Sequence, residues 1–203
     1  MIWRELKKSY KVFILFFLVS FLVVNWNDIS WLFNYRFLQS KLLASIENKY
    51  AQRAEEITQA KENSHLSIPS LGVAAPIIYV GSREKDVFEE ALKKGIVHYP
   101  TSALPGYQGQ TELLGHSAPD NWPDINYDNV FSRLDELEKG DKIFLQFGEG
   151  KYTYRVVKKK VLEPGEEIFP SPLTNSDYLL VLVSCWPPGS SQRRIAVMAE
   201  LNN

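Results

Sequence analysis

Hydrophobic and polar positions divide the chain into three regimes. Residues 12–24 (VFILFFLVSFLVV) are apolar except for Ser20. Residues 35–62 are rich in Lys, Glu, Gln and Ala and contain neither Gly nor Pro, which predicts a helix or helical stalk with a solvated surface. From residue 64 onward the apolar runs become short and are punctuated by turn residues. Strands are predicted over 66–68, 73–80, 96–99, 111–114, 142–147, 151–158, 178–184 and 194–201, with Gly148-Glu149-Gly150 as a hairpin turn. Two helices are predicted among them. One covers 87–94; the other covers 129–138, where Val130, Leu134 and Leu137 fall at helical spacing and Gly140 supplies a stop. Many short strands with few helices indicate a mostly β barrel or sandwich.

The 203 residues suit one domain of ordinary size with an appendage. The expected organisation is a cytoplasmic tip and transmembrane signal anchor over 1–34, a helical linker over 35–64 and a β domain over 65–203. The apolar run is shorter than the ~20 residues of a bilayer span. Tyr10 and Lys11 can extend it on one side by snorkelling, and Trp26, Trp31, Leu32 and Phe33 on the other as interfacial groups. Arg4, Lys7, Lys8 and Lys11 precede the run, which favours a cytoplasmic N-terminus and an external remainder. A cleaved signal peptide competes with this reading, but Asn25-Trp26-Asn27-Asp28 offers no small-x-small cleavage site.

A formal net charge of −1 gives no electrostatic basis for nucleic-acid binding. The single cysteine, Cys185, excludes an internal disulfide, a two-cysteine redox motif and a Cys-rich zinc site. An exported lone thiol is a candidate reactive group. Any Cys/His chemistry must pair it with His65, His98 or His116.

Three local features then stand out. Leu113-Leu114-Gly115-His116-Ser117 puts a histidine at a strand end. Leu182-Val183-Ser184-Cys185-Trp186 puts the cysteine where an apolar strand exits to a loop. Arg193-Arg194-Ile195-Ala196-Val197 opens the next strand after the short loop 186–192, so the cysteine and an arginine are expected side by side. A thiol is nucleophilic as thiolate and its free pKa is about 8.5. Neighbouring cations favour that form, an imidazolium can protonate a leaving amine, and a guanidinium can hold a developing oxyanion. Taken singly, each residue has a plainer reading: a small buried hydrophobe, a turn histidine, a solvated strand edge. Their order and their placement at strand ends make the combination specific. His65 in the linker and His98 before Tyr99-Pro100 are the other imidazoles available.

The segment 66–201 resembles the sortase catalytic domain. LSIPSLGVAAP over 66–76 is similar to the family's opening strand. Gly95–Gly106 with Gly115-His116-Ser117 resembles the approach to its catalytic histidine. Val130-Phe131-Ser132-Arg133-Leu134 through Lys139-Gly140-Asp141 resembles the helix and turn that follow. The family's cysteine signature, Thr-Leu-x-Thr-Cys, reads here Val181-Leu182-Val183-Ser184-Cys185, with Val181 departing from it. The resemblance implies an eight-stranded β-barrel with short helices, and His116, Cys185 and Arg194 as catalytic residues. Arg193 is the alternative arginine, and Ser184 a substrate contact. It further implies cleavage of a C-terminal sorting signal similar to Leu-Pro-x-Thr-Gly in secreted proteins. A thioester then passes to an amine of the cell envelope or of a pilin. No cofactor and no metal are expected. Two other readings stay open at this point: a different cysteine enzyme, papain-like or of the L,D-transpeptidase type, and a membrane-tethered, non-catalytic β domain that binds peptides.

Overall fold

The computed structural model describes residues 2–26, 35–119, 121–166 and 177–202. The chain divides into two compact units, Met1–Glu55 and Glu56–Asn203. The first contains helix α1 (Ile2–Val24) and most of helix α2 (Tyr35–Glu62). The large apolar side chains of α1 from Tyr10 to Val24 are all exposed. No helix among the described residues is long and apolar enough to cross a membrane. The reason is the charge on the first third of α1: Arg4, Glu5, Lys7, Lys8 and Lys11 leave only the run 12–24 uncharged. That run rises about 20 Å at ~1.5 Å per residue, against a hydrocarbon core of about 30 Å. Trp31, Leu32 and Phe33, expected to lengthen the run, lie outside the described residues.

The second unit starts inside α2, earlier than the boundary read at residue 64. The last turns of the helix are tied down: Ile57 and Ala60 pack on the core, and Ala60 O accepts from Gly148 N (3.1 Å) and Ser64 Oγ (2.7 Å).

Eight strands follow among the described residues: β1 (Ser64–Ile68), β2 (Val73–Tyr79), β3 (Ile96–His98), β4 (Gly109–Leu114), β5 (Lys142–Phe147), β6 (Gly150–Leu162), β7 (Tyr178–Trp186) and β8 (Arg193–Leu201). They close into a barrel in the order β1-β2-β3-β4-β7-β8-β6-β5. Helix α3 (Lys85–Leu92) bridges β2 to its parallel neighbour β3, the kind of crossover a parallel pair requires. The second parallel pair is β4 with β7.

Alternation fills the barrel. β5 reads exposed-buried throughout and sends Ile143, Leu145 and Phe147 inward. β7 and β8 are buried on both faces. Leu180, Leu182, Ile195, Val197 and Ala199 enter the main core, while Val181, Val183 and Ala196 form a smaller outer cluster with Leu162. This two-sided burial is why both strands read as nearly continuous apolar runs. Each fully buried Leu or Ile contributes roughly 1.5–3 kcal/mol.

The helix expected over 129–138 is not formed; the segment is turns and one 3₁₀ turn, Leu134–Glu136. Its apolar residues Val130, Leu134 and Leu137 are buried as the spacing required, but its backbone bonds close tighter i to i−3 turns, Ser132 N to Asn129 O, Leu134 N to Phe131 O and Leu137 N to Leu134 O. Phe131 N donates to His116 O (2.9 Å), and Ser132 Oγ bridges the backbone N and O of Ala118 (both 2.8 Å).

His98 is 4% exposed and stacks on Tyr79 with ring centroids 4.9 Å apart. Its Nε2 lies 2.9 Å from the acceptor Ala103 O, so this nitrogen carries the proton; Ser102 Oγ is 3.1 Å away. Burial, joined by the nearby Lys61 cation and opposed by the bond to Ala103 O, holds the imidazole below its ordinary value near 6.5. The unfolded chain therefore takes up this proton first as pH falls, so stability present above pH ~6.5 is lost progressively below it. The melting temperature should fall between pH 6.5 and 5 more steeply for the wild type than for His98→Gln. Parallel melting-temperature profiles for the two proteins would contradict this assignment.

Candidate active site

The β7–β8 hairpin pairs Cys185 directly with Arg194, and Trp186 with Arg193. Directly opposed residues of two neighbouring strands share a face, their Cβ atoms about 4.5–5.5 Å apart. Cys185 follows Val181 and Val183 in the alternation, and Arg194 precedes Ala196. Both therefore belong to the outer face with the small apolar cluster. Trp186 packs on the main core instead, which puts Arg193 on the other face. The Arg193 guanidinium lies 4.0 Å from Glu163. That of Arg194 donates to Ser191 O (3.0 Å) and Arg193 O (2.9 Å). Cys185 is half-buried and Arg194 exposed.

His116 reaches the same place from the other side. In the parallel β4–β7 pair Glu112 lies beside Val181 and Leu114 beside Val183, where the ladder ends; continued by two residues, the same register would set His116 beside Cys185. The chain stays on β7 past the end of β4. Gly115 N donates to Val183 O (3.1 Å), Ser184 Oγ to Gly115 O (2.7 Å) and Ser117 Oγ to Cys185 O (2.9 Å). Gly115 itself is required by close approach: a Cβ there would meet the Phe131 ring at 2.4 Å. Cys185 and Arg194 thus sit opposite each other on β7 and β8, and His116 lies in the segment that leaves β4 along β7, at the same end of the barrel.

The other candidates are placed elsewhere. His98 pairs with Leu113 and is buried on the inner side of the barrel. His65 is exposed on β1, which is separated from β7 by three strands in the barrel order. Ser184, assigned by resemblance to substrate contact, is 3% exposed. Alternation turns its hydroxyl inward, onto Gly115 O, on the face opposite Cys185. The clamp residues Ser117 and Ser132 carry no signal in hydrophobic periodicity, because their partners lie 68 and 14 residues away.

Val181 and Ala196 of the outer cluster are fully buried, and Val183 is the one of the three that reaches a cavity wall. A cavity of about 330 Å³ next to Arg194 is lined by Leu162, Glu163, Glu166, Val183 and Arg193, among others. Among the described residues no cluster of three or more His, Cys, Asp or Glu could hold a metal ion.

The chain is similar to several known proteins. Sortase D of Bacillus subtilis (strain 168) is 34% identical over 122 residues, 60% of this chain and 53% of that protein; the chain thus spans about half the length of this curated relative. The crystal structure of sortase C-1 from Actinomyces oris superposes with a TM-score of 0.57 at 25% identity, covering 69% of this chain and 73% of the other. A pilus-related sortase C of Group B Streptococcus gives 0.55 at 26% identity, covering 69% and 66%. A family model described as the sortase domain matches residues 66–202, well over half of the chain, and with the closed eight-stranded barrel it establishes that this protein belongs to the sortase family.

Proposed function

We propose that the protein is a membrane-anchored cysteine transpeptidase acting on secreted proteins that end in a sorting signal similar to Leu-Pro-x-Thr-Gly. The observation that supports this reading is the direct pairing of Cys185 with Arg194, together with the bonds that tie Gly115 and Ser117, on either side of His116, to β7. The Cys185 thiolate attacks the carbonyl carbon of the Thr–Gly bond. Arg194 leaves a loop carbonyl to hold the oxygen as negative charge develops on it. Protonated His116 gives its proton to the departing glycine amine, and the C–N bond breaks to leave a thioester on Cys185. An amine of the envelope or of a pilin then attacks the thioester, its surplus proton passes to His116, and the thiolate departs. The cavity beside Arg194, with Leu162 and Val183 in its wall, offers apolar surface for the Leu-Pro half of such a signal.

The anchor belongs to the same reading. An apolar run whose side chains are all exposed calls for an apolar surrounding. The cations before it set the N-terminus in the cytoplasm and the barrel outside. Snorkelling of Lys11 and local thinning of the bilayer offset the short span.

Two outcomes follow. With a peptide containing the sorting motif and an amine acceptor, the full-length protein in detergent should give a ligated product. Cys185→Ala should abolish it. His116→Ala and Arg194→Ala should each lower the rate about 10²–10⁴-fold, and Arg193→Ala less than tenfold. Ligation by Cys185→Ala at the wild-type rate would defeat the proposal; peptide binding without turnover, with Cys185 inert to iodoacetamide, would favour the non-catalytic β domain. The second outcome concerns location. The wild type should pellet with membranes and resist carbonate extraction, whereas deletion of residues 2–26 should release it. A soluble wild type would contradict the anchor.

A further inference from the structure

In a parallel ladder the hydrogen bonds recur every two residues along each strand. Gly115 N donates to Val183 O (3.1 Å), so the next rung would run from the backbone N–H of residue 117 to Cys185 O. That carbonyl instead receives the side-chain hydroxyl of Ser117, at 2.9 Å. A side-chain donor reaches the rung without holding its own backbone in the sheet. The chain can then turn away at once, and Ala118 is caught on both its N and O by buried Ser132. Ser117 also accepts through its own carbonyl from Gly189 N (2.9 Å), in the loop that leads into Arg194. One residue therefore touches the three segments that carry the candidate catalytic groups: the strand exit bearing His116, the end of β7 bearing Cys185, and the loop before Arg194.

We infer that Ser117 is a positioning residue whose hydroxyl fixes the spacing of His116 from Cys185. This rests on the transpeptidase reading above. His116 lies between two anchored neighbours, Gly115 and Ser117. Loss of the Ser117 hydroxyl removes the tie of this residue to β7, leaving it held by Gly189 N and the segment by Phe131 and Ser132, and leaves the Cys185 carbonyl without this donor. Misplacement of a catalytic group by about 1 Å costs on the order of 10²-fold in rate. The loss belongs to the chemical step rather than to peptide binding, because Ser117 is not part of the cavity wall beside Arg194.

The test compares full-length wild type with Ser117→Ala, Ser117→Thr and Ser117→Val, together with Ile143→Val in the barrel core remote from the site, as a control for lowered stability. Turnover with sorting-motif peptide and amine, and the melting temperature, are measured for each. Ser117→Ala should lower kcat roughly 10–100-fold with KM changed less than about threefold. Ser117→Thr, which keeps the hydroxyl, should recover most of it, and Ile143→Val should lower the melting temperature while keeping kcat. Should Ser117→Ala fail to fold, the near-isosteric Thr and Val variants decide, with Val as slow as Ala is expected to be. Equal kcat for Thr and Val, or a loss in Ser117→Ala no larger than in Ile143→Val, overturns the positioning role while an active wild type leaves the transpeptidase reading standing. Absence of any ligated product from the wild type overturns both.

Discussion

Everything at the candidate site depends on the parallel pairing of β4 with β7 being carried beyond the end of β4. The ladder itself stops at Leu114 beside Val183. Three bonds then take over: Gly115 N to Val183 O, Ser184 Oγ to Gly115 O, and Ser117 Oγ to Cys185 O. A further bond, from Phe131 N to His116 O, ties His116 itself to the segment 130–137. On the other side of Cys185 the antiparallel β7–β8 hairpin sets Arg194 directly opposite. Strand pairing thus fixes Cys185 against Arg194, and hydrogen bonds beyond the ladder hold the segment that carries His116.

The barrel makes such a rigid edge possible. β7 and β8 are buried on both faces, and a shift of either by one residue would exchange its inner and outer apolar sets. The same burial that stabilises the strands therefore protects the register on which the site relies. Polar groups inside are satisfied: among the described residues no buried side-chain nitrogen or oxygen lacks a partner. Ser132, Ser184 and His98 each spend their polar atoms on backbone groups of loops beside the barrel.

Much of this was legible in the sequence because it follows from local patterns. The alternating runs, the hairpin at residues 148–150 and the long apolar stretch before Cys185 each have a direct physical cause in strand burial, and the strands lie within a residue or two of their expected positions apart from a longer β6. Two adjacent arginines could be ranked once register was known, since only Arg194 opposes Cys185; spacing alone left Arg193 available. What stayed hidden was set by distant partners. The segment 129–138 buries its apolar residues through successive i to i−3 turns instead of the expected helix, and it is tied to His116 O and to Ala118 by partners outside the segment. The inward turn of Ser184 and the rung made by Ser117 depend on pairings about 70 residues apart in the chain, beyond the reach of any local pattern.

The central claim is that Cys185, flanked by His116 and Arg194, forms a thioester. The most direct measurement is mass spectrometry of the full-length protein incubated with a sorting-motif peptide in the absence of an acceptor amine. The account predicts an adduct on the Cys185 peptide equal in mass to the substrate fragment ending at threonine, released by hydroxylamine. Product formation with Cys185 unmodified throughout, or an adduct on another residue, would contradict it.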